Sequence, residues 1–224
     1  MSADERRFDK TRLELSALLL IRECWPGYIP GFRKSESPDW VNPAAGIGLE
    51  ITQAIDNQHG YALALAYRYL GRSRDGIPAP VLRRFTGGLD FSGGRLRAVS
   101  PSQGPVPGGQ SIRFVLQALD KKLRLVNADG FQKFPLNALA LLLQVPPSEA
   151  ELSDFLEQIR PRGSAYPLRF RPIFLLCGGF YCCIDPVASA MSSRALPPAR
   201  QAYIEATAEA LRLRQEWPAG AAFD

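Results

Sequence analysis

The sequence predicts an α/β or α+β domain in three layers, with a mixed central sheet of about five strands flanked by helices. Helical and strand patterns alternate along the 224 residues. Two apolar runs around a Gly-Gly pair at residues 172–185 are typical of a central hairpin covered by helices. The composition, 46% apolar and 22% charged, is that of a globular domain and excludes a disordered chain.

The first predicted element is an amphipathic helix over residues 5–24, which a Pro-Gly pair ends. Its main row contains Glu14, Leu18, Ile21 and Trp25. An acid inside an apolar row is unusual. Two interpretations stay open: Glu14 reaches solvent at the flank of the row, or it points its carboxylate into a site.

Strand patterns occupy residues 35–53. A short extended segment, Ser-Pro-Asp-Trp-Val, precedes a turn at residues 42–46. The next strand then alternates, with one set of side chains on each face: Ile47, Leu49 and Ile51 on one, and Gly48, Glu50 and Thr52 on the other.

A basic segment at about residues 71–110 is predicted to be an insertion in a single domain that spans residues 1–224. Between Gly71 and Gly109 it has six arginines, two acids and 14 glycines or prolines, so it cannot be a long helix. It is predicted to be a mobile loop with one short hairpin around residues 85–96. Arginine pairs well with phosphate, and Arg83, Arg84, Arg95 and Arg97 are the candidate nucleic-acid contacts. The other interpretation, an ordinary solvated loop, stays open.

The remaining elements follow from periodicity. One helix is predicted near residues 58–70, and Ser111 is predicted to cap a strong helix whose apolar face is Ile112, Val115, Leu116, Leu119, Leu123 and Val126. Residues 136–145 predict a buried strand, although their Leu and Ala content also permits a helix. A Pro-initiated helix over residues 198–216 closes the chain.

A further helix is predicted to begin after Ser148 and to end near Ile159. Glu151 stands three residues after Ser148, which is the spacing of a capping box.

The cysteines and the single histidine indicate no zinc site. Cys24, Cys177, Cys182 and Cys183 form no Cys-x-x-Cys pair, and His59 lies in a predicted turn. The cysteines are expected to be reduced core residues, as in a cytoplasmic protein. No membrane-spanning or targeting segment is predicted.

The most informative fragment is Ser37-Pro38-Asp39, followed after ten residues by Leu49-Glu50-Ile51-Thr52. Carboxylates on two strands that a turn joins can converge at one end of the pair, where they bind a hard cation such as Mg²⁺. This pattern resembles the PD-(D/E)XK nuclease superfamily, which has the restriction-endonuclease-like fold. The helix in front of the motif and the helix behind it also match the core order of that family.

The resemblance implies a set of site residues. Asp39 corresponds to the first acid and Glu50 to the second, and the carbonyl of Ile51 is the implied third ligand of Mg²⁺ or Mn²⁺. Glu14 stands where many members have a glutamate in the first helix. Thr52 departs from the family, because a lysine belongs at that position to orient the nucleophilic water.

Three explanations of Thr52 stay open. Gln53 positions the water, which requires a bulge or the end of the strand; a basic residue comes from another element; or the site is inactive. Lys122 is the better donor in the second case, because it borders the apolar stripe of its helix whereas Lys121 faces away.

The resulting hypothesis is a Mg²⁺-dependent endonuclease that hydrolyses phosphodiesters of DNA, with RNA as another possible substrate. The alternative is a catalytically inactive nuclease-like fold that binds nucleic acid or a protein. Neither interpretation involves a membrane, and a homodimer is compatible with both.

Overall fold

A computed structural model of the chain describes residues 3–28, 31–54, 69, 71–79, 82, 89–99, 110–143 and 146–214. It describes the side chains of these residues except at 3–9, 89, 90, 97–99, 110, 111 and 214. The chain divides into two compact units, one of residues 1–6 and 55–108 and the other of residues 7–54 and 109–224. Among the described helices, none combines the length and apolar character that crossing a membrane requires.

The described residues contain four α-helices: α1 (Ala3–Cys24), α2 (Gln110–Val126), α3 (Glu149–Ser164) and α4 (Pro198–Arg214). The larger unit contains seven strands: β1 (Arg33–Lys34), β2 (Trp40–Asn42), β3 (Ile47–Gln53), β6 (Leu136–Leu142), β7 (Phe170–Cys177), β8 (Phe180–Asp185) and β9 (Ala190–Ala195). The smaller unit contains β4 (Leu89–Ser92) and β5 (Arg95–Val99).

The seven strands form one mixed sheet in the order β1-β2-β3-β6-β7-β8-β9. β3 pairs in parallel with β6, and β6 with β7, whereas the other neighbours are antiparallel. The predicted mixed sheet is confirmed, but it is larger than the expected five strands. The two additional strands are β1 and β9. β1 has only two residues, and Ala190–Ala195 of β9 is exposed at every position and has no apolar alternation, so neither has a recognisable strand pattern.

Helices cover both faces of this sheet. On one face, α1 and α4 pack against Leu49 and Ile51 of β3 and Phe174 of β7. On the other, α2 and α3 pack against Leu139 of β6 and Leu175 of β7. The three predicted layers are therefore present in the larger unit.

The four cysteines are free and buried, as expected. Cys183 belongs to the core under α1 and α4, and Cys182 to the core under α2 and α3. Burial raises the pKa of both thiols, that of Cys182 to about 12 and that of Cys183 to about 11. They are protonated core residues at neutral pH.

Two helix boundaries differ from the prediction. α2 begins at Gln110, so Ser111 lies inside the helix and is not its N-cap. α3 has the predicted capping box of Ser148 and Glu151 but continues past Pro161 to Ser164. Pro161 has no backbone N–H to donate to the carbonyl of Glu157, four residues before it. Two side chains of the last turn donate to other carbonyls, Arg162 Nη1 to that of Gln158 at 3.0 Å and Ser164 Oγ to that of Arg160 at 2.9 Å.

The smaller unit has its own apolar cluster of Tyr69, Ile77 and Leu96. The hairpin of β4 and β5 lies a few residues after the predicted position, and Ser73 forms a further bridge with Arg95. Apart from Tyr69, the helix predicted at residues 58–70 lies outside the described residues.

Candidate functional site

Three of the predicted site residues are buried acids. Their exposed fractions are 2% for Glu14, 2% for Asp39 and 5% for Glu50. No other acid is buried in the part of the chain that the structure describes. Because a buried carboxylate is costly unless it is paired, each of the three requires partners.

Asp39 stands directly before β2 and connects that strand to β3. Its Oδ2 accepts a 2.8 Å hydrogen bond from the backbone N–H of Ile51, and its Oδ1 accepts one of 2.9 Å from Lys10 Nζ. Ile51 is therefore a neighbour of Asp39 through its amide. The role of its carbonyl as a third metal ligand, which the resemblance implies, stays a prediction.

Close packing fixes the segment that contains Asp39. A Cβ atom at Gly48 would lie 2.7 Å from both Phe134 and Pro38, so only glycine fits there. Pro38 can consequently pack directly on β3, which places the next residue, Asp39, beside Ile51.

Glu50 points from β3 toward α2, where Lys122 Nζ donates a hydrogen bond to its Oε1. The side chains of this pair are 6% and 14% exposed. Lys121 is exposed, as its position on the helix predicted. The structure thus places Lys122, the predicted substitute for the motif lysine, against the second acid.

Glu14 points inward from α1, so the interpretation that it reaches solvent is wrong. Lys34 Nζ donates hydrogen bonds to Glu14 Oε2 and to the backbone carbonyl of Asp39, the latter at 3.2 Å. The same ammonium lies 5.3 Å from the centre of the Trp40 ring. Lys10 Nζ lies 3.2 Å from Glu14 Oε1. We call Glu14, Asp39, Glu50, Lys10, Lys34 and Lys122 the carboxylate–lysine cluster.

The charges of the cluster alter its proton affinities. Burial raises the pKa of Glu14 and of Glu50, the negative charge of Asp39 raises both further, and the adjacent lysines act in the opposite direction. Burial alone would lower the pKa of Lys10, but the hydrogen bond and charge of Asp39 outweigh it and raise that pKa. The negative charge of Asp39 therefore acts on both glutamates and favours their protonated forms.

Thr52 and Gln53 follow Glu50 at the end of β3. The register of β3 against β6 runs without a break from Ile47 to Gln53, so the bulge that would turn Gln53 toward Glu50 is absent from this strand. The other condition is met, because Gln53 is the last residue of β3, where it is exposed; the role of Gln53 stays a prediction. Thr52 is half-buried.

The chemistry of the cluster fits a hard divalent cation. Its donors are carboxylate oxygens, which Mg²⁺ and Mn²⁺ prefer, and their mutual repulsion would be relieved by a further positive charge. As the described side chains stand, no three Asp, Glu, His or Cys residues are grouped as a metal-ligand set. Lysine ammonium groups lie beside the carboxylates instead.

Two lysines of the cluster, Lys10 and Lys34, were not predicted from the sequence. Lys10 stands four residues before Glu14 on α1, a spacing that puts both side chains on one helix face. That spacing was a usable signal. Lys34 had none, because its approach to Glu14 depends on how β1 and α1 pack.

The predicted arginines are only partly described. Arg83 and Arg84 lie outside the described residues, as does the side chain of Arg97. Arg95 is exposed, and its Nη1 donates to the Gly71 carbonyl at 3.2 Å.

Two further exposed arginines of the smaller unit lie over aromatic rings. The guanidinium carbon of Arg72 is 6.0 Å from the ring centre of Tyr69, and that of Arg74 is 5.6 Å from the ring centre of Phe91.

Comparison with known proteins identifies no relative: no family model, no curated protein and no solved structure matches the chain.

Proposed function

We propose that this protein is a Mg²⁺-dependent nuclease that hydrolyses phosphodiesters of DNA on a restriction-endonuclease-like fold. One observation supports the proposal above all others. Asp39, directly before β2, and Glu50, in the neighbouring strand β3, are both buried, and Lys122 of α2 contacts Glu50. Buried, mutually repelling acids beside a fixed cation are typical of catalytic sites.

The order of the strands supports the same proposal. Asp39 precedes β2, β2 runs antiparallel to β3, and Glu50 lies in β3. β3 then pairs in parallel with β6, after a long connection. This arrangement agrees with the motif order that the sequence resembles, with α1 in front of it.

Each residue has a role in this proposal. Asp39 and Glu50 would hold the ion, with the Ile51 carbonyl as the third ligand that the resemblance implies. When bound, Mg²⁺ would make a water more acidic and offset charge on the phosphate. Lys122 would orient that water and stabilise the developing negative charge. Thr52 cannot stabilise that charge in the same way, because its side chain is neutral.

The arginines of the smaller unit support a polyanionic partner. Arg72, Arg74 and Arg95 are exposed, and two of them lie over aromatic rings that limit their conformations. Guanidinium groups that are ordered in advance lose less entropy when they pair with phosphate.

A second function is favoured by the pairing within the cluster. Each buried carboxylate already has a lysine partner, which lowers the demand for an added cation. The chain would then be a catalytically inactive member of the same fold that binds nucleic acid or a protein.

The decisive experiment incubates labelled duplex DNA, single-stranded DNA and RNA with the protein and Mg²⁺ or Mn²⁺. Asp39→Asn and Glu50→Gln should each lower metal-dependent cleavage at least about 10²-fold. Glu23→Gln is the matched control, because Glu23 is an acid at the surface that pairs with Arg200. Binding of nucleic acid without cleavage, unchanged by these substitutions, would favour the second function.

A further inference from the structure

One ammonium group of the cluster bridges two buried carboxylates. Lys10 Nζ lies 2.9 Å from Asp39 Oδ1 and 3.2 Å from Glu14 Oε1. Both acids are 2% exposed, so they have lost most of the water that would otherwise screen their repulsion. The bridging ammonium is therefore a main source of their stabilisation in the metal-free protein.

Lys10 is also the most exposed of the three lysines. Its side chain is 62% exposed, whereas those of Lys34 and Lys122 are 31% and 14% exposed. Lys34 is fixed by Glu14, by the Asp39 carbonyl and by the ring of Trp40. A long side chain that is mostly in water can rotate away from Asp39 with little loss of packing.

We propose that Lys10 is a displaceable cation that occupies the Asp39 carboxylate in the metal-free protein and leaves it when a divalent ion binds. This inference rests on the metal site of the proposed function. Lys10 then competes directly with the ion for Asp39, because one oxygen of that carboxylate is already committed to the Ile51 amide.

The expected consequence is a weakened but selective metal site. The apparent dissociation constant of the ion rises in proportion to the fraction of molecules in which Lys10 blocks the site. If the ammonium occupies the bridge about 90% of the time, removing it should tighten binding about tenfold. A weakly binding cation such as Na⁺ would not displace the lysine.

Calorimetric titration of Mn²⁺ and Mg²⁺ into the full-length protein tests this inference without any activity measurement. Lys10→Met should bind the ion about tenfold more tightly than the wild type. Lys10→Arg, which keeps a cation at this position, should bind like the wild type. Lys121→Met is the control for loss of one positive charge, because Lys121 is exposed on α2.

Melting curves of the same preparations provide a second measurement. Without metal, Lys10→Met should melt below the wild type, since Glu14 and Asp39 lose their bridge. Saturating Mn²⁺ should raise its melting temperature more than that of the wild type.

The outcomes distinguish the inference from the proposed function. Tighter binding by Lys10→Met alone supports the inference, and so does binding by Lys10→Met when the wild type shows none. Unchanged or weaker binding by Lys10→Met, with a wild type that binds, overturns the inference and leaves the proposed function standing. Failure of every variant to bind either ion overturns both.

Discussion

The centre of the seven-stranded sheet and its β2–β3 end are both buried, but they are built from opposite kinds of residues. At the centre, Leu139, Leu175 and Cys182 are each 0% exposed, and their neighbours are apolar. At the β2–β3 end, Glu14, Asp39 and Glu50 are nearly as inaccessible to solvent, and each has a lysine beside it.

The two regions contribute differently to the free energy of folding. Burial of apolar side chains at the centre stabilises the fold, whereas burial of three acids costs free energy that their lysine partners only partly return. The raised pKa values of Glu14 and Glu50 express that cost. A cluster that destabilises the fold is expected where a function requires it.

The largest effect on stability should come from the centre. Phe155, on α3, is 0% exposed, and Phe155→Ala should lower the free energy of unfolding by about 3–5 kcal/mol. Leu213→Ala is the control, because that side chain is 63% exposed and should cost no more than about 0.5 kcal/mol. Urea unfolding measures both, and similar losses in the two variants would contradict the assignment of Phe155 to the core.

The largest effect on activity should come from the carboxylate–lysine cluster. Lys122→Met should reduce cleavage by about 10²–10³-fold, because it removes the cation beside Glu50, while metal binding persists. Lys121→Met should leave activity unchanged. Single-turnover cleavage together with calorimetry checks both statements, and full activity of Lys122→Met would exclude the role assigned to this lysine.

A smaller effect should appear in the pH dependence of stability without metal. The pKa of Glu14 is raised in the folded state above its ordinary value of 4.5. Its contribution to stability is therefore fully present below pH 4.5 and is lost as the pH rises through the folded-state value. The advantage of the wild type over Glu14→Gln should accordingly shrink between pH 4.5 and neutrality in urea unfolding.

Glu23→Gln is the matched control for this measurement. The hydrogen bond from Arg200 lowers the pKa of Glu23, so its contribution is present above pH 4.5 and is lost on acidification through the lowered value. A wild-type advantage over Glu14→Gln that grows with pH would contradict the raised pKa.

The smallest effect should come from the surface. Arg200 donates two hydrogen bonds to Glu23, at 2.8 and 2.7 Å, but the side chains are 46% and 31% exposed. A double-mutant cycle with Arg200→Ala and Glu23→Ala should give a coupling energy close to the experimental error, because solvent screens an exposed pair. A larger value would weaken the contrast between surface pairs and the buried cluster.

The centre of the fold was predictable because its signals are local. The apolar runs on either side of Gly178 and Gly179 predicted β7 and β8, and both strands lie inside the sheet. Ser148 and Glu151 predicted the start of α3 from their spacing alone. The prediction that Ser111 is an N-cap was wrong because a good capping residue also occurs inside helices. β9 was not predicted because no pattern distinguishes it from a loop.

Within the carboxylate–lysine cluster, only the three acids and Lys122 could be predicted from the sequence. Asp39 and Glu50 were candidates because the sequence around them resembles a nuclease motif, and the position of Lys122 follows from the apolar stripe of α2. The contact of Lys34 with Glu14, and the approach of Lys10 to Asp39 across 29 positions of sequence, depend on tertiary packing. No local pattern encodes such contacts.

The parallel pairing of β3 with β6 also bears on the order in which the protein folds. Glu50 and its register partner Leu139 are about 90 residues apart in sequence, whereas β7 and β8 adjoin a tight turn. Loop closure costs only about 0.6 kcal/mol more for each doubling of length, so the long connection is tolerated at equilibrium. Distant pairings nevertheless form slowly, and pulsed hydrogen exchange during refolding should protect β7 and β8 before β3. Lys122, on the helix before β6, would therefore meet Glu50 among the last events of folding.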